Sequence, residues 1–77
     1  MMYVRTTLLV DGAQAVHVAE LEDLGGICHM HRLIAITPAG PRPAEIQQKI
    51  VPHPDTYGDY PDIKAEYITR EEFESLI

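Results

Sequence analysis

His29 and His31 form a His-x-His pair within the stretch Ile27 to Ile36. On a strand, side chains alternate in direction, so residues two apart share a face and both imidazoles point the same way. Paired imidazoles are the start of a zinc site, and a third from His17 would complete three ligands with an open position. Cys28 points to the other face of such a strand, so it neither joins that ligand set nor forms a nucleophilic dyad with its neighbour His29. The ordinary roles are a small buried hydrophobe for the cysteine and packing or solvent contact for the histidines. The sequence reading therefore expects no enzyme, no cofactor and no metal, with His17, His29 and His31 as the alternative metal set. Gly25-Gly26 lacks the following Lys-Ser/Thr of a phosphate loop.

The other chemically loaded region is the last third. Between positions 55 and 77 there are seven acids (Asp55, Asp59, Asp62, Glu66, Glu71, Glu72, Glu74) and two bases (Lys64, Arg70), a net −5 out of −6 for the chain. Phosphate binding needs a basic stripe, and this distribution argues against direct contact with nucleic acid. Tyr57, Tyr60, Tyr67 and Phe73 lie among those acids, a composition suited to docking on a basic protein through tyrosine anchors and a charged rim. Glu71 and Glu72 have a separate reason to be acidic, since they fall in the first turn of a helix. The candidate partner-binding residues are thus Asp55, Tyr57, Asp59, Tyr60, Asp62, Glu66 and Glu74.

These residues need a scaffold. Tyr3 to Val10 reads as a strand ending at Asp11-Gly12, the dipeptide of a two-residue hairpin turn. Ala15 to Leu21 alternates as a second strand, and Ile27 to Ile36, between Gly25-Gly26 and Thr37-Pro38-Ala39-Gly40, as a central third. A tight first turn sets Val10 opposite Ala13, Leu8 opposite Ala15, Thr6 opposite His17 and Val4 opposite Ala19. If the second turn pairs Leu21 with Ile27, His17 meets His31 and the three histidines share a face with Val4, Leu8, Ala19 and Leu33. The opposite face then takes Leu9, Val16, Val18, Cys28, Met30, Ile34 and Ile36 with Arg5, Glu20 and Arg32. A bulge at either turn would exchange these assignments.

Five of the six prolines fall between Thr37 and Pro54, which argues against long regular structure there. Within it only Ala44 to Val51 suits a strand or short turn, and Asp55 to Pro61 reads as a loop with at most one helical turn. Ile63 to Ile68 alternates as a short strand. Thr69-Arg70-Glu71-Glu72 fits a capping box, and Ile68 with Phe73 a hydrophobic staple, so a helix begins at Arg70. The expected fold is α+β: an antiparallel meander of three to four strands with one short C-terminal helix, as a single domain over residues 1–77.

At 77 residues the interior is too small to surround a large ligand. The single cysteine excludes an internal disulfide and a Cys-rich zinc module. No signal-peptide pattern opens the chain, and no apolar run approaches the roughly 20 residues of a membrane span. A cytoplasmic protein without membrane contact is expected. Because a single helix covers only one face of an apolar meander, a homodimer is expected unless the Pro38 to Pro54 segment folds over the second face.

The opening Tyr3-Val4-Arg5, the Glu20-Leu21-Glu22 that closes the second strand, and the ending Pro61-Asp62-Ile63-Lys64-Ala65-Glu66-Tyr67-Ile68-Thr69-Arg70-Glu71-Glu72-Phe73-Glu74 resemble a family of small bacterial domains of unknown function. The likeness spans most of the chain. It departs from the family at Cys28-His29-Met30-His31, at Leu76-Ile77 and in a shorter middle. It implies an α+β fold in a bacterial or phage setting and assigns no functional residue. By size and charge alone the chain is similar to small acidic anti-CRISPR proteins. The expected function is inhibition of a basic, nucleic-acid-binding bacterial protein, or, as an alternative, neutralisation of a toxin by an immunity or antitoxin-like protein.

Overall fold

The computed structural model describes the backbone of residues 1–77 and the side chains of all but Asp59. Six strands and two short helical pieces follow in order: β1 (Met2–Val10), β2 (Ala13–Asp23), β3 (Ile27–Thr37), β4 (Gly40–Pro43), β5 (Ile50–Pro52), a 3₁₀ turn (Pro54–Asp59), β6 (Ile63–Ile68) and α1 (Arg70–Glu74). The sheet is antiparallel throughout, in the order β4-β3-β2-β1-β6, with β5 on the same edge of β3 as β4.

The first hairpin has the expected register, Val10 opposite Ala13 and His17 opposite Thr6. Asp11 and Gly12 both take positive φ, 51° and 80°, the twist that a two-residue hairpin turn needs. The second hairpin corrects the sequence reading. Asp23 rather than Leu21 closes the ladder, opposite Cys28, and the pairing shifts between Glu20 and Leu21. Glu20 faces Arg32 and Leu21 faces Met30, so His31 is the extra residue of a bulge. His17 consequently faces Ala35, not His31.

The expected three to four strands become six because proline is placed where it does no harm. Just after β4 the Ala44 amide donates to the Leu33 carbonyl at 2.9 Å, and just before β5 the Lys49 carbonyl accepts from the Met30 amide at 2.7 Å. Hydrogen-bonded and non-bonded pairs alternate along an antiparallel ladder. Pro41, Pro43 and Pro52 therefore sit at positions whose missing N–H would point away from β3.

Two apolar layers sandwich the sheet. On one face Phe73 and Leu76 of the α1 end pack on Tyr3, Val18 and Ile34, with Ile36 and Ile68 alongside. On the other, Val4, Ala19, Leu21 and Cys28 are covered by Val51, Met2, Met30 and Leu33. Pro54 is buried and Tyr57 half-buried, so the segment after β4 does fold over the second face. That cover is partial, since Leu8, Leu9 and Val10 at the far end of β1 stay exposed. The Thr69 hydroxyl accepts from the Glu72 amide at 3.1 Å, as the capping pattern requires; the Glu72 carboxylate turns to that hydroxyl, at 3.4 Å. No helix among the described residues is long and apolar enough to cross a membrane.

Candidate functional site

Alternation along β2 and β3 decides which side chains meet. Val18 and Ile34 belong to the Phe73 face and Ala19 and Leu21 to the opposite one, so His17 lies beneath the Val51 side, near Met30 and Leu33. His29 pairs with Glu22, one residue on from Leu21, and so lies on the Phe73 face. The bulge keeps His31 beside it: the two imidazole centroids are 4.3 Å apart, and His31 Nε2 is 2.9 Å from Glu22 Oε1. The three-histidine set is therefore not formed. In its place Glu22, His29 and His31 hold ligand atoms within 4.8 Å of one another.

A second cluster lies on the other face, where Asp23, Cys28 and His53 also bring ligand atoms within 4.8 Å. Here the hydrogen bonds fix a structural role. His53 caps the 3₁₀ turn, its Nδ1 accepting from the Asp55 amide at 3.1 Å. That leaves the proton on Nε2, which sits 3.5 Å from Asp23 Oδ2, so neither ring nitrogen has a lone pair free to take the Cys28 proton. Burial pushes the Cys28 thiol up, away from the thiolate. Asp23 is held below the usual carboxylate range by the Gly25 amide, with a second bond from Gly26. The cluster locks the Gly25-Gly26 turn, β5 and the 3₁₀ turn together.

Four of the seven acidic and aromatic candidates divide between the two faces. Glu66 pairs with Arg5, opposite it in the β1–β6 ladder. Glu74 accepts from Arg32 at 2.8 Å and lies 4.0 Å from Arg70. Both belong to the Phe73 side, where their charge is met by arginine. Asp55 lies on the Val51 side and accepts a hydrogen bond from the Tyr67 hydroxyl, a contact that pushes the phenol up to about 12. Tyr57 turns inward, and burial raises its phenol too. Tyr60 and Asp62 remain exposed at the corner leading into β6, with Tyr60 50% accessible. The Asp62 backbone is pinned there, its carbonyl accepting from the Leu9 amide at 3.0 Å. Asp59 lies in the same corner by sequence, and its side chain is outside the described residues.

The sequence reading missed Glu20, which is 9% exposed and the one charged residue among the buried ones described. Arg32 grips it with two bonds, Nε to Oε1 at 2.9 Å and Nη2 to Oε2 at 2.8 Å, and the Tyr3 hydroxyl donates to Oε2 at 3.0 Å. The Arg32 bond, aided by Tyr3, holds the Glu20 carboxyl below its ordinary range. The Arg32 guanidinium also lies 4.8 Å from the Phe73 ring centroid, and its pKa is raised by Glu20 and Glu74. This network fastens α1 to the sheet. The signal available was Glu20 two residues from Val18 on the same strand face, opposite an arginine once the bulge is known. No protein-family model, curated protein or solved structure matches the chain.

Proposed function

We propose that the chain is a non-enzymatic acidic binding protein that docks on a basic protein and blocks it, using the corner at Tyr60 and Asp62. The observation that carries this reading is the contrast between carboxylates. Glu20, Glu66 and Glu74 are each met by an arginine, whereas Asp62 is exposed, has no cationic partner among the described residues and follows two positions after the half-exposed Tyr60. An unpaired charge next to an aromatic on a braced turn is what a rim charge and an anchor require. A basic, nucleic-acid-binding bacterial protein is the partner class, as for anti-defence inhibitors acting in the cytoplasm; an immunity protein neutralising a toxin would use the same corner. The test is affinity capture from a bacterial lysate on the immobilised protein, with retained proteins released by salt. A basic protein retained by the wild type at low salt and lost with Asp59→Asn/Tyr60→Ala/Asp62→Asn supports the reading. Identical retention by both would contradict it.

Glu22, His29 and His31 favour a second reading, a surface metal site of two imidazoles and one carboxylate. Such a set suits zinc, with positions left open for water. Titration of metal-free protein with zinc should raise the melting temperature of the wild type and of His17→Ala, but not of His31→Ala. A wild-type protein whose melting temperature ignores zinc would end this reading.

A further inference from the structure

The two edges of the sheet are built differently. Of the four strand positions along β4 and β5 that face away from β3, Pro41, Pro43 and Pro52 offer no N–H and Ile50 alone does, so that edge cannot sustain a ladder. The other edge is β6, which carries no proline. Its pairing with β1 follows from the Leu9 amide donating to the Asp62 carbonyl: Asp62, Lys64, Glu66 and Ile68 turn their backbone groups inward, and Ile63, Ala65 and Tyr67 turn theirs outward. The Ile63 N–H leans on the Tyr60 carbonyl at 3.5 Å. The Ala65 N–H and C=O, the Tyr67 N–H and the Ile63 C=O face out, along a shallow groove of about 770 Å³. Residues 64–67 are all exposed, with Tyr67 54% accessible.

We infer that β6 pairs antiparallel with β6 of a second copy of this chain, about a two-fold axis at Ala65, joining two sheets into one. Charge selects both the occupant and the register. Outward groups meet outward groups only when odd-numbered residues face odd-numbered ones. An axis at Lys64 would oppose two ammonium groups, and one at Glu66 two carboxylates. An axis at Ile63 would bring Pro61 opposite Ala65 and lose a rung, and one at Tyr67 would leave Glu66 opposite Ile68 without a countercharge. At Ala65 each Lys64 faces Glu66 of the second copy, twice over, on the Phe73 side. On the other side Tyr67 faces Ile63 of the second copy. Two bonds between the Ala65 residues and two from Tyr67 N–H to Ile63 C=O complete the ladder. The charges that would keep an unrelated strand off this edge complement a second copy of it. This proposal stands on the edge geometry and is independent of the docking corner.

Sedimentation or light scattering across a concentration series tests it. The wild type is expected at twice the mass of one chain at high concentration. K64E and E66K should each fall to the monomer mass, and an equimolar mixture of the two should regain the dimer mass, because the carboxylate introduced in one variant then faces the ammonium introduced in the other. A65P removes an N–H that the monomer does not use and should be monomeric with an unchanged circular dichroism spectrum. A wild type that is monomeric throughout would overturn the proposal. So would a dimer that survives in K64E, E66K and A65P alike, or single variants that are monomeric and remain so when mixed.

Discussion

Phe73→Ala is expected to remove roughly 3–5 kcal/mol of stability, the usual cost of deleting a fully buried aromatic ring. Phe73 is 0% exposed and its ring lies 5.1 Å from that of Tyr3, against Val18 and Ile34. α1 has only five residues, too few to hold a helix by propensity. Losing its one buried side chain detaches it from the sheet and leaves Arg32 without the ring beneath it. In a domain of this size, total stability lies toward the lower end of the usual range of about 5–15 kcal/mol, so most of it would be lost. The urea midpoint measures the effect. Tyr60→Ala is the control: half exposed and outside both apolar layers, it should move the midpoint by less than about 0.5 kcal/mol. A Phe73→Ala midpoint close to wild type would mean that α1 does not close the Phe73 face.

Glu20→Gln is expected to cost about 1.5 kcal/mol at neutral pH, the low end of the range for hydrogen bonds to charged groups, because Arg32 is 41% exposed and keeps Glu74. The substitution keeps the shape and removes the charge that Arg32 and the Tyr3 hydroxyl hold. The loss should depend on pH in a defined direction. The folded-state pKa of Glu20 lies below its ordinary value of 4.5, so the unfolded chain takes up the proton first as pH falls. The wild type's advantage over Glu20→Gln is therefore complete above pH 4.5 and shrinks as pH drops through the lower folded value. Paired denaturation curves from pH 7 downward give the difference directly. A difference that stayed constant with falling pH, or grew, would remove the ion pair from the account.

Local chemistry in this chain is written in short patterns, and those patterns translate directly. Asp11-Gly12 sets one register over a whole hairpin, Thr69 with Glu72 fixes where the helix starts, and alternation from Ile63 to Ile68 marks β6 to the residue. The second hairpin is different, because nothing at Gly25-Gly26 states how many residues the loop takes, and a bulge at His31 costs the sequence no recognisable signature. The pairing there lies three residues on from the expected one at Leu21, an odd displacement that moved Cys28 and Met30 from one face to the other, and four residues on at His17, which separated it from its expected partners. The prolines misled in another way. Their number argues against strands, but at every second residue on an edge they leave the inner ladder intact, and only the pairing with β3 reveals that spacing. His53 could not be tied to Asp23 and Cys28 without the position of β5.

The acidic third shows the same limit. Charge and tyrosine content are read from composition, whereas the division of Glu66 and Glu74 from Asp55 and Tyr57 is set by which face each side chain takes. The docking reading therefore narrows to the corner at Tyr60 and Asp62, and that narrowing can be measured. The direct test is association and dissociation kinetics against a captured basic partner at low and high salt. Asp59→Asn/Asp62→Asn should slow association and flatten its salt dependence, Tyr60→Ala should mainly speed dissociation, and Glu66→Gln/Glu74→Gln should leave both rates nearly unchanged. Unchanged kinetics in the first two variants, with the loss falling on Glu66→Gln/Glu74→Gln, would move the interface to the Phe73 face and contradict the account.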